Sequence, residues 1–267
     1  MDKHDNEKLE NDRAPLRLLK QGFLILALVT AGGCASLSDG DDYAVFDTAE
    51  GFNRGSYEFT DKIDRAALVP VARGYQWITP DWIETGVANM FTNLTTITSS
   101  LNGFLQGKPV SGFTDLGRVL INTTIGVGGF FDPATDLGLK YQQEDFGQTL
   151  AVWGWTKSRY VYIPFMGPST IRDLPSVAIN AYLPRLLFGS SYPWGVSALG
   201  VVSSRAELLS TTDLRDASAL DPYVFTRDAY FQRRKFLVYD GRPPLEDLFE
   251  DDFFEDDEDF DDEDDEY

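Results

Sequence analysis

Few side chains in this sequence can do chemistry. The sole histidine is His4 and the sole cysteine is Cys34, so beyond residue 33 the chain has no imidazole. Ser-His-Asp and Cys-His catalysis and His-rich zinc sites each need an imidazole as base or ligand, and are excluded there. Carboxylates remain: Glu144 and Asp145, with Asp132, Asp136 and Asp173, are the residue types that supply the acid and base of a glycosidase. Two of them have plainer readings. Asp145, just before Phe146-Gly147-Gln148, reads as a helix-opening acid, and Asp173 beside Arg172 reads as an ion pair. Ser169 has no visible activator, the nearest lysine in sequence being Lys157. Gly126, Gly128 and Gly129 resemble part of a nucleotide loop, but no strand precedes them and no Gly-Lys-Ser/Thr follows. They suit a sharp turn or a close helix approach instead. The expectation is no catalytic residue, no metal and no cofactor.

The elements around those glycines are odder than the glycines. Between Arg118 and Asp132 no charged residue occurs, and the run passes from a helical apolar pattern (Val110, Phe113, Leu116, Leu120, Thr124, Ile125) through the glycines into Phe130 and Phe131. Two further charge gaps lie between Glu84 and Lys108 and between Arg185 and Arg205. Each is too interrupted by Asn, Thr, Ser, Gly or Pro for a simple membrane-spanning helix. Buried helices of a soluble bundle and partial membrane embedding both fit these gaps.

The N-terminal segment favours embedding. Arg17 and Lys20 precede the apolar run Gly22 to Val29, which relaxes into Ala31-Gly32-Gly33 before Cys34. The run is too short to span a bilayer and has the flanks of a secretory signal peptide, residues 1–33. Ala31-Gly32-Gly33-Cys34 resembles the bacterial lipobox, with Ala31 where leucine is usual, and implies lipidation of Cys34. The acidic leader before Arg17 is atypical of such signals and suits a true start downstream of Met1. With Ala35 and Ser36 after Cys34 rather than aspartate, the resemblance implies sorting to the outer membrane. Lipidation would use the only thiol and leave no disulfide.

The formal charge of −20 is concentrated at the other end: from Glu246 onward sixteen residues are acidic and none is basic. Residues 34 to 245 hold 22 acidic against 18 basic side chains. A phosphate backbone demands a basic stripe, and none is present, so no nucleic-acid partner is expected. The acidic tail, residues 244–267, repels itself and reads as disordered. A surface lipoprotein that recruits a partner through this tail is one alternative reading, and a carboxylate-based envelope hydrolase another.

Between the tether (residues 34–45) and the tail, residues 46–243 read as one mainly α domain. Phe52, Ser56, Phe59, Ile63 and Ala67 recur at helical spacing, predicting a helix from Thr48 to Ala67, and Pro70 can open a second. Thr79-Pro80-Asp81 combines a hydroxyl cap, a proline and an acid, and starts a helix bearing Ile83, Val87, Met90 and Leu94. A separate pattern follows at Ile97, Leu101, Phe104 and Leu105. Asp132-Pro133 begins a short helix closed by Gly138. Tyr160 to Pro164 reads as a short strand, Gly167-Pro168-Ser169 as the start of a helix through Ile179, and helices follow around Val196 to Leu209 and Asp221 to Tyr239.

Several of these segments carry a family resemblance. Glu50-Gly51-Phe52-Asn53-Arg54, Asn89 to Asn93, Leu105-Gln106-Gly107, Gly126 to Asp132, Phe146 to Leu150, Arg172-Asp173 and Asp221-Pro222-Tyr223 through Arg233 resemble the MlaA/VacJ lipoproteins in content, order and spacing. The match covers Phe46 to Gly241. It implies a phospholipid-binding outer-membrane lipoprotein of the Mla transport system: a ring-like multi-helix domain, partly embedded in one leaflet, lipid-anchored on the periplasmic side. It further implies an amphipathic channel, association with a porin trimer, and transfer of mislocalised outer-leaflet phospholipid to a periplasmic carrier protein. On that basis Asn122, Thr123 and Thr124 are expected near the headgroup path. Ile121, Ile125, Gly126, Val127, Gly128, Gly129, Phe130 and Phe131 are expected to form its apolar lip and turn. Ordinary helix packing is the competing assignment for each.

Overall fold

Local turn and cap signals divide the chain into short helices wherever proline or glycine recurs, and leave one long helix where they do not. The computed structural model describes residues 46–189 and 192–244, all within one compact unit. The signal peptide, Cys34, the tether and all but the first residue of the acidic tail lie outside the described residues.

Helix α1 (Glu50–Ile63) runs through a π-helical turn (Asp64–Leu68) into α2 (Val69–Ile78). Pro70 lacks an N–H and would clash with the carbonyl four residues back in a regular α-helix; the widened turn lets the helix continue across it. Arg205 holds this turn from the far side, with Nε 2.8 Å from Asp64 Oδ1 and Nη2 2.8 Å from Asp64 Oδ2. Helix α3 (Asp81–Leu105) is continuous, so the two patterns read between Thr79 and Gly107 belong to one element. Nothing between Asp81 and Leu105 breaks a helix: Gly86 and Gly103 are spaced singly and no proline occurs. Its N-cap is Pro80, with no side-chain cap bond, rather than Thr79.

Helix α4 (Pro109–Thr124) folds back along α3. A turn leads to α5 (Pro133–Asp136) and then α6 (Phe146–Val152), each N-capped by the aspartate before it, Asp132 and Asp145. The stretch read as a helix from Gly167 is instead a strand. Strands β1 (Tyr160–Ile163) and β2 (Gly167–Thr170) pair antiparallel, Tyr160 opposite Thr170 and Tyr162 opposite Pro168. Phe165 in the connecting turn and Gly167 at the start of β2 both take positive φ, and Pro168 is tolerated because a two-stranded ribbon consists of edges. Helix α7 (Leu174–Phe188) starts after this ribbon, and α8 (Trp194–Glu207), α9 (Leu209–Ser218) and α10 (Pro222–Val238) complete the fold. Asp221 caps α10, accepting from the Tyr223 and Val224 amides, and binds Arg54 of α1 at 2.7 Å.

Conventional core is scarce. One cluster is aromatic, Tyr57, Tyr160, Tyr162 and Tyr223, with Phe231 and Tyr230 packed against it; a smaller one joins Ala72, Ala206 and Leu209. Among the described residues, buried polar and charged side chains outnumber buried apolar ones roughly two to one. Water-soluble domains have the opposite bias.

Candidate lipid-path site

The inversion is sharpest at the α3–α4 hairpin. The face of α3 turned inward carries Asn93, Thr96, Ser99, Ser100, Asn102 and Gly103, and that of α4 carries Gly112, Asp115, Arg118 and Asn122, all buried. The apolar stripe that the sequence periodicity marks on α4 faces outward: Val110 is 79% exposed and Ile125 70%, with Phe113, Leu116 and Leu120 exposed between them. On α3, Leu101, Phe104 and Leu105 are exposed likewise. In α1 the same reversal exposes Phe52 and Phe59 and buries Asn53 and Ser56. On α4 the periodicity locates both faces and the packed one is polar; on α1 and the first half of α3 it does so only in part, because Ser56 and Val87, both read on the apolar stripe, are buried.

Small residues make the close approach possible. A Cβ on Gly103 would stand 2.9 Å from the Gly112 backbone nitrogen, so the two helices touch along their main chains there. Hydroxyls and amides fill the remaining seam: Ser100 Oγ donates to the Gly112 carbonyl at 2.8 Å, Ser99 Oγ to Asp115 Oδ2 at 2.5 Å, and Asn93 Nδ2 to Thr123 Oγ1 at 2.9 Å. Small residues with interhelical hydrogen bonds are the packing chemistry of helices surrounded by lipid, where apolar side chains gain nothing by turning inward.

The hairpin ends in the glycine turn. Val127, Gly128 and Gly129 all have positive φ (54°, 71° and 90°). A β-branched residue in that region is an outlier that its surroundings must hold in place. They do so through a polar clip. Asn122 Nδ2 donates to Asp132 Oδ1 at 2.8 Å while its Oδ1 accepts from the Ala134 amide at 3.0 Å. Arg118 Nη2 donates to Asp132 Oδ2 at 2.8 Å, and its Nη1 donates to Thr135 Oγ1 and to the Leu139 carbonyl. Burial pushes the Asp132 carboxyl up, but the donors from Thr135, Asn122 and Arg118 outweigh it and hold it below the ordinary aspartate value.

The expected path residues therefore divide. Ile125, Val127, Gly128 and Phe131 are exposed around the turn; Thr123 and Thr124 are exposed, the first accepting from Asn93 and the second donating to the Leu120 carbonyl. Ile121 and Phe130 are half-buried, Phe130 packing edge-on against Trp82 and Phe131. Gly126 and Gly129 are buried, Gly129 against Asn93. Asn122 is buried with both ends of its amide used in the clip. The sequence reading missed Arg118 and Asp132 as partners of Asn122. Their place as the two charges bounding the apolar run was the available signal.

A second buried network lies behind the hairpin and contains the carboxylates considered above. Glu144 accepts from Gln106 Nε2 at 2.9 Å and Lys108 Nζ at 3.0 Å, while its amide donates to Ser99 Oγ. Burial outweighs these donors and holds the Glu144 carboxyl above its ordinary value. Asp145 and Asp173 share Arg234 instead, and Asp136 is exposed. Every buried carboxylate here is met by donors from at least one neighbouring element, which explains it as an internal tie. Among the described residues no cluster of carboxylates has metal-ligand geometry.

A family model described as MlaA lipoprotein matches residues 45–237. The chain belongs to the MlaA lipoprotein family. Relatives named intermembrane phospholipid transport system lipoprotein MlaA are 35% identical in Shigella flexneri and 34% in Escherichia coli K12, each over 84% of this chain and 90% of the relative. The one in Haemophilus influenzae is 33% identical over 82% of this chain and 90% of its own length. A solved structure from work on the structural basis for maintenance of bacterial outer membrane lipid asymmetry aligns with a TM-score of 0.63 at 31% identity. It covers 72% of this chain and 98% of that one. The α-helical architecture of this MlaA-family chain thus has an experimental counterpart. No helix among its described residues is long and apolar enough to cross a membrane.

Proposed function

We propose that this chain is an outer-membrane lipoprotein of an intermembrane phospholipid transport system. It removes mislocalised phospholipids from the outer leaflet through an amphipathic channel and hands them to a periplasmic carrier, preserving lipid asymmetry. The observation that carries this reading is the inverted burial of the α3–α4 hairpin, apolar outward and polar inward. An exterior carrying this many exposed large apolar side chains calls for a non-aqueous neighbour, and helices too polar to span a bilayer suit insertion into one leaflet. The names of the MlaA relatives and the lipid-asymmetry context of the matching structure support the same assignment. Lipidation at Cys34 provides the anchor. A porin trimer is the proposed outer-membrane partner. Transport down such a path needs no nucleotide, metal or catalytic residue in this component.

The glycine turn supplies the test. Ile125 and Val127 project from it and make none of its hydrogen bonds through their side chains, and aspartate adopts positive φ more readily than valine. Ile125→Asp and Val127→Asp should therefore fold and fractionate with the outer membrane while failing to restore detergent resistance, with surface phospholipid raised, in cells lacking the native gene. Full complementation by both variants would remove the turn from the lipid path.

A further inference from the structure

Between Asp173 and Arg205 the chain carries a single charge, Arg185, and between Asp173 and Glu207 it carries no acid at all. Arg185 lies in the last turn of α7 and is exposed, yet among the described residues it has no ion pair. Around it the surface is apolar: Leu186, Leu187, Phe188 and Ile179 are all exposed. Most other arginines of this chain sit against carboxylates, so an unpaired guanidinium on an apolar surface stands apart.

It also borders a cavity. Arg185, Tyr182 and Pro184 form one wall, and Tyr192, Trp194 and Ser197, where α8 begins, form the other, enclosing about 160 Å³. Tyr182 is 68% exposed and Trp194 85%, and Tyr192 stacks on Phe188 with centroids 5.8 Å apart. Tyrosine and tryptophan with an apolar body and a polar edge are characteristic of the boundary between hydrocarbon and headgroups. At that depth an arginine extends toward the phosphates. The guanidinium fork matches two phosphate oxygens. The first turn of α8 has no acidic residue and no side-chain cap, so its positive end adds to the same field.

We propose that this cavity is a binding subsite for the phosphodiester of a phospholipid headgroup, with Arg185 clasping the phosphate, Tyr182 and Trp194 flanking it, and the acyl chains lying along the exposed Leu186–Phe188 surface. The proposal rests on the phospholipid-transport reading and assigns that path a cationic station distinct from the glycine turn. The shared chemistry is a phosphate ester anion, which a soluble phosphate could also offer, but the aromatic and apolar surround fits the lipid.

The test uses the full chain purified from outer membranes in a phosphate-free mild detergent, delipidated, and titrated separately with phosphatidylglycerol, diacylglycerol and inorganic phosphate, bound lipid being counted by native mass spectrometry. Wild type should bind phosphatidylglycerol and discriminate against diacylglycerol. Arg185→Glu should bind the phospholipid at least about tenfold more weakly, as expected for loss of a charge-assisted contact. Because Arg185 is exposed, its circular dichroism should not change. Lys62→Glu, an equal charge change at an exposed site on α1, should bind normally. Unchanged phospholipid binding by Arg185→Glu, an equal loss in Lys62→Glu, or tighter binding of inorganic phosphate than of lipid would overturn the subsite while leaving phospholipid transport standing. Absence of phospholipid binding by wild type would overturn both.

Discussion

Removing the guanidinium of Arg234 should be the most damaging single change in the polar interior. From α10, its Nη1 donates to Asp145 Oδ2 at 2.5 Å, and its Nη2 donates to Asp145 Oδ1 at 3.1 Å and Asp173 Oδ1 at 2.9 Å. Asp145 caps α6, and Asp173 precedes α7 and also accepts from Arg172 Nε and Tyr230 Oη. One side chain thus ties three helices. Gly147 leaves room for it, since a Cβ there would stand 2.1 Å from Asp173 Oδ1. Burial pushes both carboxyls up, but the arginines outweigh it and hold each below the ordinary value of 3.8. Arg234→Met keeps most of the stem volume, leaves the half-buried Asp145 with only the Gln148 amide and the Ser176 hydroxyl, and leaves the buried Asp173 with Arg172 as its one remaining cation. Stranding a buried charge costs about 3–5 kcal/mol, a large part of a native stability of about 5–15 kcal/mol. For a chain of this size each kcal/mol lowers the unfolding midpoint by about 2–4 °C, so a fall of roughly 6–20 °C is expected.

The assay is thermal unfolding in mild detergent, followed by circular dichroism, at neutral and acidic pH. A group with a lowered folded pKa contributes stability above its unfolded value and loses it as pH falls through the folded one. Wild type should therefore weaken on acidification below 3.8. In Arg234→Met the two carboxyls lose their depressing partner and take up protons readily, so the gap between the proteins should narrow as pH falls. Arg233→Met, whose neighbour is Gln143 Oε1 at 3.2 Å, should stay within about 0.5 kcal/mol of wild type. An Arg234→Met midpoint within about 2 °C of wild type at neutral pH, or a gap that widens in acid, would refute the argument that this network holds the helices together.

Two further outcomes follow from particular contacts. A Cβ on Gly126 would stand 2.3 Å from the Phe131 carbonyl and 2.5 Å from that of Asn122, both backbone, whereas Gly128 has open space and only its positive φ to satisfy. Gly126→Ala should thus lower stability by more than the roughly 1–2 kcal/mol expected of Gly128→Ala, and equal unfolding midpoints for the two would refute the packing account of the turn. Glu144 has a folded pKa raised by burial, so its protonated form is favoured in the fold, and stability should decline as pH rises from its ordinary value of 4.5 through the raised one. Glu144→Gln should flatten the stability profile across that window, and an unchanged slope would show that the carboxyl does not titrate there.

The sequence discloses helix starts better than it discloses which face of a helix is packed. Asp132-Pro133, Asp145 and Asp221-Pro222 begin helices because a capping aspartate acts on amides two or three residues away, so the signal and its effect are both local. The β1–β2 ribbon is lost to local reading because Gly167-Pro168-Ser169 suits a helix start as well as a turn into a strand. Only pairing with Tyr160–Ile163 decides between them. The α3–α4 interface is a different case. Periodicity gives the direction of the apolar stripe, and inferring that the stripe is the core assumes water outside. Where the surroundings are lipid, the same stripe faces out.

On the proposed transport function, the buried hydrogen bonding also limits where a lipid headgroup would travel. A buried polar group must be hydrogen-bonded, and the α3–α4 seam largely meets that demand internally: Ser99 with Asp115 and the Glu144 amide, Ser100 with Gly112, Asn102 with Thr149, Asn122 with Asp132 and Ala134. Groups committed in this way hold the helices together and have little capacity left for a passing phosphate. The spare capacity lies at the margins. Asn93 Oδ1, beside Gly129 and Thr123, has no protein partner among the described residues, Thr123 is exposed beyond it, and Arg185 stands unpaired over its cavity. A polar interior is therefore not by itself a polar path. In this fold the seam chiefly joins the two helices, and on the proposed transport function a headgroup would be handled where hydrogen-bonding capacity remains unspent beside an apolar edge.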